Sequence, residues 1–399
     1  MSRPSQATHK SPPSHHSPSG TPRGSAGEQQ GAAVKKGWQA KTLGEVCVVD
    51  KCQGSHKNLP YVGLEHIESH TGRFLGSTEP VGVKSSTFKF SQEHVLYGRL
   101  RPYLNKVMLP DFTGHCSTEI FPFKPRPGLS REFLQYWFLR DATVEQIDAT
   151  STGTRMPRAN MNAVLDFEFP FPPLPEQQRI VGILDEAFAG IATAKANAEK
   201  NLQNARALFE SHLQSVFTQR GPGWITKSLE GLATIRTGKR DANHQVEDGP
   251  YPFYTCAFGQ FRSPTFSFDG ASIILPGNGA NVGKVFFYDG KFEAYQRTYV
   301  VNELSDAINP RFLFFCFSAG WPGYIANKQF GSATNYIVVG DLKAFPVPTP
   351  PSSVQAATVE RLESFSDETQ RLAALYERKL AVLEALKKSL LHQAFTGQL

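Results

Sequence analysis

Two long stretches of the chain carry the same apolar rhythm. In residues 176–218, Ile180, Leu184, Ala187, Ile191, Ala194, Ala198, Leu202, Ala205, Phe209 and Val216 recur mostly at alternating spacings of three and four. That is the seam of a coiled-coil helix. Residues 354–396 repeat the seam through Leu362, Phe365, Leu372, Tyr376, Leu380, Leu383, Leu386 and Leu391. The two stretches superpose without a gap at an offset of 178, which pairs Val181 with Val359, Leu184 with Leu362, Leu213 with Leu391 and Phe217-Thr218 with Phe395-Thr396. Pro175-Glu176 suits a helix N-terminus, and Gly221-Pro222-Gly223 closes the first rod. Rods of about 40 residues span roughly 60 Å. Their seams predict that they pack on each other, antiparallel if a pseudo-twofold axis relates two halves of the chain.

Before each rod the pattern changes to short Val, Ile, Phe and Tyr runs broken by Gly, Pro and Asn, the mark of strands. The runs fall at 45–49, 93–97, 106–109 and 118–123, then at 232–236, 271–275, 284–288 and 297–301. Gly277-Asn278-Gly279 and Asp289-Gly290 supply turns. Residues 133–138 and 312–317 read as buried helices, and Pro-rich strands at 169–173 and 345–348 form hard boundaries into the rods. Each half opens with Gly-Trp-x-x-Lys-x-Leu, at Trp38 and Trp224. The offset there is 186 rather than 178, so the globular parts differ in length while the rods do not. The expected architecture is α+β: two similar mixed α/β domains separated by two long antiparallel helices, an internal repeat. Its boundaries are a tail at 1–36, domains at 37–173 and 221–350, and helices at 174–220 and 351–399. A period this long is no solenoid, and a duplicated molecule suggests a target in two parts.

Composition refines this picture. The 399 residues are 40% hydrophobic, enough for two cores, and include 30 Phe. Five cysteines form no CxxC pair, which argues against a disulfide framework or zinc site and for a reducing cytoplasm. The net charge is +6, but Arg3, Lys10, Arg23, Lys35 and Lys36 against Glu28 place +4 of it in the first 36 residues. Bulk charge therefore says little, and any basic surface must be local. The Ser/Pro/Gly/His-rich tail is expected to be disordered and has no apolar core of a secretory signal. No run of 18 apolar residues suggests a membrane span.

Catalytic motifs are missing: no HExxH, no GxSxG elbow and no Asn/Asp-Pro-Pro-Tyr/Phe. Gly277-Asn278-Gly279-Ala280-Asn281-Val282-Gly283-Lys284-Val285 has the wrong glycine spacing for a phosphate loop. Val285 also stands where a Mg²⁺-binding hydroxyl belongs, and a strand-like run follows where a helix should. His56, His66, His70, His94 and His115 crowd the first half without metal-ligand spacing. These absences favour a binding protein.

Pro172-Pro173-Leu174-Pro175-Glu176-Gln177-Gln178-Arg179-Ile180-Val181 resembles the start of the central conserved region of type I restriction–modification specificity subunits. Ser389-Leu390-Leu391-His392-Gln393-Ala394-Phe395-Thr396-Gly397 resembles their usual C-terminus. Leu100 to Val107 and Gly277 to Val285 are similar to a strand–loop–strand segment of their target recognition domains, and Gly331-Ser332-Ala333-Thr334 to a loop before the last strand. At the second rod, Pro350-Pro351-Ser352-Ser353-Val354-Gln355 departs from the Leu-Pro-Glu-Gln form. The resemblance covers about residues 37–399. It implies a non-catalytic subunit whose two domains each read one half of a split double-stranded DNA site. The helices would set the unread gap and dock two methyltransferase (modification) subunits. Two translocase/nuclease (restriction) subunits would complete the complex, and S-adenosylmethionine, ATP and Mg²⁺ would belong to those partners.

Base edges and phosphates are met by Arg, Lys, Asn, Gln, Ser and Thr in loops. The first-half candidates are Lys84, Ser85, Ser86, Arg99, Arg101, Asn105, Lys106, Thr154, Arg155 and Arg158. Those of the second are Lys239, Arg240, Asn278, Asn281, Lys284, Gln296, Arg297 and Asn335. Gln296-Arg297, where a strand begins, offers a bidentate fork to adenine or guanine. Each has a plainer reading: solvated charges for the Lys and Arg, a capped turn for Arg101-Pro102-Tyr103, and turn formers at positive φ for Asn278 and Asn281. A protein-binding adaptor and an enzyme with an unrecognised site stand as alternatives to DNA recognition.

Overall fold

The computed structural model describes residues 37–257, 259, 261–326, 328 and 335–399, so the N-terminal tail and the Gly331–Thr334 motif lie outside the described residues. The chain forms two compact units. One holds the described residues up to Val181 together with Leu391–Leu399, and the other Gly182–Leu390.

In the first unit, Gln39–Thr42 pairs antiparallel with Glu168–Phe171, closing the domain with its own last strand. The main sheet runs in the order Cys47–Val49, Ile120–Pro125, Val95–Gly98, Val107–Met108, all antiparallel. A second small sheet orders Gln53–Gly54, Thr87–Phe90, Gly114–Cys116 and Tyr61–Val62, the last pair parallel. The helix Arg131–Leu139 buries Phe133, Trp137 and Phe138. Phe138 stacks on Tyr97 of the main sheet at 4.7 Å between ring centroids.

The second unit repeats this plan. Ile225–Ser228 pairs with Pro346–Thr349. The main sheet orders Thr234–Thr237, Thr298–Asn302, Ser272–Pro276 and Phe286–Tyr288, and a three-stranded sheet holds Phe261–Ser263, Tyr251–Tyr254 and Glu293–Ala294. The helix Pro310–Ala326 buries Phe312, Phe317 and Trp321 against Phe345. The change of offset from 186 to 178 falls before the main-sheet strands Val95–Gly98 and Ser272–Pro276, around the small sheet, whose short strands the sequence pattern did not reveal. The cysteines are free, and burial pushes the Cys316 thiol up to about 12.

The long helices are Leu174–Thr218 and Ser352–Thr396, 45 residues each. Within the second unit they run antiparallel: Phe188 meets Lys387, Phe209 meets Phe365, and Arg206 pairs with Glu377 at 2.7 Å. The seam holds for Ile180, Leu184, Ala198 and Ala205 in the first helix and Val359, Leu362 and Leu391 in the second, all buried. It fails at Leu372 and Leu386, which are 36% and 45% exposed. With Leu375 and Val382 they leave apolar side chains in solvent, so a period read as packing here is partly an outward face. No helix among the described residues is long and apolar enough to cross a membrane.

Each long helix ends in a globular core. Phe217 packs on Phe312 of the second unit, and Phe395 packs on Phe133 of the first at 4.6 Å. Each also begins on a buried glutamine. Gln177 Oε1 accepts from the Ser130 backbone N–H at 2.8 Å, and its Nε2 donates to the carbonyls of Gly128 and Pro172. Gln355 does the same with the Asn309 N–H at 2.7 Å and the carbonyls of Ala307 and Pro350. Ser130 and Asn309 each cap a short helix, so one amide ties two helix starts together. The Leu-Pro-Glu-Gln departure in the second half therefore spares the residue that makes the joint.

Replacing either glutamine by alanine strands one N–H and two carbonyls in a dry site, at a cost of about 1–3 kcal/mol. Denaturant unfolding of Gln177→Ala and Gln355→Ala should show comparable losses; an unchanged midpoint for either would refute the joint.

Candidate nucleic-acid interface

The loop after strand Val95–Gly98 is built on two residues in the left-handed region, Arg101 (φ 51°) and Asn105 (φ 41°), around a 3₁₀ turn at Pro102–Leu104. For a non-glycine residue this backbone costs roughly 1–2 kcal/mol, so the surroundings must hold it. They do. The Arg101 N–H donates to the Pro157 carbonyl at 2.7 Å, the Ala159 N–H to the Arg99 carbonyl at 2.9 Å, and Leu100 bridges Arg158. The loop at 99–106 and the segment at 152–158 thus form one surface, joining candidates that lie some 50 residues apart.

Side-chain roles on that surface divide. Arg99 and Arg158 grip opposite oxygens of Glu119, at 3.0 and 2.9 Å. Arg101, Thr154 and Arg155 are exposed. Lys106 turns inward, its Nζ donating to the carbonyls of Leu64 and Ile67 at 2.7 Å, which makes it an internal brace. Asn105 is fully buried, with both amide atoms unpartnered among the described residues. Lys84, Ser85 and Ser86 lie exposed ahead of strand Thr87–Phe90. Their segment is anchored by His115, a buried ring whose Nε2 sits 3.0 Å from the Val81 carbonyl and whose Nδ1 sits 3.0 Å from Thr87 Oγ1. His66 and His94 likewise bond backbone, at Gly63 and Ser91.

The second unit holds its loop in the same way. The Gly279 N–H donates to the Asn335 carbonyl at 2.8 Å, the Ile337 N–H to the Gly277 carbonyl at 3.1 Å, and Asn278 bridges Tyr336. Each partner is the first-unit partner plus 178. The left-handed positions are Gly279 and Gly283, the counterparts of Arg101 and Asn105, and not Asn278 or Asn281. Asn281 instead donates to the Cys256 carbonyl at 2.8 Å, and Lys284 is exposed. Arg240 Nε lies 3.3 Å from the buried Glu293 carboxylate, and Lys239 is exposed. Gln296, Arg297 and Asn278 line a cavity of about 350 Å³ with Thr237, Tyr299 and Tyr336. Of these, sequence reasoning missed Tyr336; the signal for it was its register with Arg158.

A model of the type I restriction modification DNA specificity domain matches residues 35–203 and again 222–378. The specificity subunit of the Escherichia coli type I restriction enzyme EcoDI is 34% identical over 176 residues, covering 44% of this chain and 38% of that protein, well under two thirds of its length. Among solved structures, a chain from a study of assembly and conformational transition of the type I R-M system matches with TM-score 0.80 at 22% identity, covering 92% of this chain and 99% of the other. The HsdS subunit of Thermoanaerobacter tengcongensis matches with TM-score 0.64 at 21% identity, covering 92% and 98%. At these identities the structural matches speak for the fold.

Burial holds the His115 imidazole below the usual histidine range, outweighing the opposing pull of the Val81 and Leu59 carbonyls. The folded chain thus favours the neutral ring. The stability this contributes is complete above the unfolded value of about 6.5 and declines as pH falls through the lower folded value. Stability should drop as pH falls below about 6.5, and His115→Gln should flatten that slope; equal slopes for the two proteins would contradict it.

Proposed function

Because the chain belongs to the type I restriction–modification DNA specificity family, we propose that it is a sequence-specific DNA-binding subunit in which each globular domain reads one half of a bipartite duplex. The observation that carries this reading is the clamped loop pair, built twice at one offset and presenting polar side chains at its rim each time. Duplication of a reader without duplication of any catalytic motif suits a two-part ligand, and this chain is given no catalytic role. The domains we assign are 37–173 and 221–350, with 174–220 and 351–399 as connecting helices.

The helices suit a spacer. A 45-residue helix is about 67 Å long, and half-sites on one face of B-DNA recur about every 34 Å. They also suit docking. Leu375 and Val382, seven residues apart on the second helix, are 55% and 60% exposed, an apolar face of the kind that a partner helix covers. We assign that face to two methyltransferase subunits, with restriction subunits completing the assembly. S-adenosylmethionine, ATP and Mg²⁺ would then act in those partners.

Lys84, Arg155 and Lys239 are exposed loop cations and are assigned to phosphates. In titrations of the full chain with its modification subunits, alanine at each should weaken every sequence alike and reduce the slope of log K against log salt by about 0.9. Unchanged slopes for all three variants would remove these contacts, and absence of any DNA binding would remove the function.

A further inference from the structure

Three positions recur at the rim of each unit, every pair 178 apart. In the first unit they hold Arg99, Glu119 and Arg158; in the second, Gly277, Arg297 and Tyr336. The same backbone hydrogen bonds join them. The N–H of Arg99 donates to the Glu119 carbonyl at 2.9 Å, as that of Gly277 does to the Arg297 carbonyl at 2.9 Å, and the Arg158 and Tyr336 strands close the other side. The frame is the same, yet the chemistry is inverted. An acid between two guanidiniums stands where the other unit has an arginine beside a glycine and a tyrosine.

We infer that these three positions are the specificity-determining set of each domain, so that one backbone frame reads two different half-sites by exchange of the side chains at its rim. The inference rests on the DNA-reading function proposed above. In the first unit Glu119 spends its two oxygens on Arg99 Nε and Arg158. Arg99 therefore keeps both terminal amino groups without a hydrogen bond among the described residues. They present a fork whose angle the carboxylate and the Phe121 ring beneath it fix. Such a planar fork matches guanine O6 and N7. Glu119 is thus a positioning residue for the two arginines.

In the second unit no carboxylate pairs with Arg297 among the described residues. Glycine at 277 is enforced there: a Cβ would stand 2.3 Å from the Arg297 carbonyl oxygen and 3.0 Å from the Tyr299 ring. The missing side chain leaves the cavity that Arg297, Gln296 and Tyr336 line. An unneutralised guanidinium and an amide at its edge suit a purine of either kind, with the Tyr336 ring as an apolar wall. The first unit therefore reads through a cation pair held from behind by an acid, and the second through a single cation beside a recess.

The test is selection from a duplex library, randomised over both half-sites, by the full chain with its modification subunits. Wild type should return a two-part motif. Glu119→Gln and Arg99→Lys should each relax one or two base pairs of one half by about tenfold in discrimination, leaving the other half intact. Arg297→Gln and Tyr336→Ala should do the converse. Arg99→Lys keeps the charge and loses only the fork, so its affinity for random duplex should hold while its motif relaxes. If Glu119→Gln does not fold, Arg99→Lys and Arg297→Gln carry the test. An intact motif in the folded variants, or relaxation of both halves by one substitution, overturns the assignment. A wild type that returns no motif overturns the DNA-reading function itself.

Discussion

A single buried amide sets the joint on which each half of the molecule turns. Gln177 and Gln355 are shut away from solvent, and each satisfies one N–H and two carbonyls. Those groups come from the segment before a short capped helix and from the proline stretch before a long one. Buried backbone groups must be paired, and no apolar residue could replace this amide. The angle at which a long helix leaves its domain is therefore specified by a hydrogen-bond pattern, and the prolines on either side remove alternatives.

Around that joint some positions match between the halves and others differ. Residues that hold the frame keep the offset of 178: the joint glutamines, the left-handed loop positions and the bridges that close the loop. Side chains at the rim of the frame differ between the halves, as Glu119 against Arg297 and Arg158 against Tyr336 illustrate. The larger length difference falls around the small sheet, and a shift of one residue falls at the capped helices, where Ser130 and Asn309 lie 179 apart.

Much of the fold was legible because its signals are periodic or conformational. The rods came from their seam, the main-sheet strands from runs of β-formers, and the boundaries from prolines. The small sheets stayed hidden, since two-residue strands such as Gln53–Gly54 and Tyr61–Val62 carry no period. Leu372 and Leu386 misled, because a heptad reports an apolar face without saying what covers it. At the site, residue type alone did not separate Lys106, an inward brace, from Arg155, an exposed cation. Long-range pairing decides that, and it became visible only when Leu100 was seen against Arg158 and Asn278 against Tyr336.

The most direct measurement is hydroxyl-radical footprinting of the full chain with its modification subunits on a selected duplex. Two protected patches separated by unprotected base pairs are expected, with protection of only one patch weakened when Arg99 or Arg297 is changed. One continuous patch, or two patches that weaken together under either change, would contradict a molecule of two independent readers.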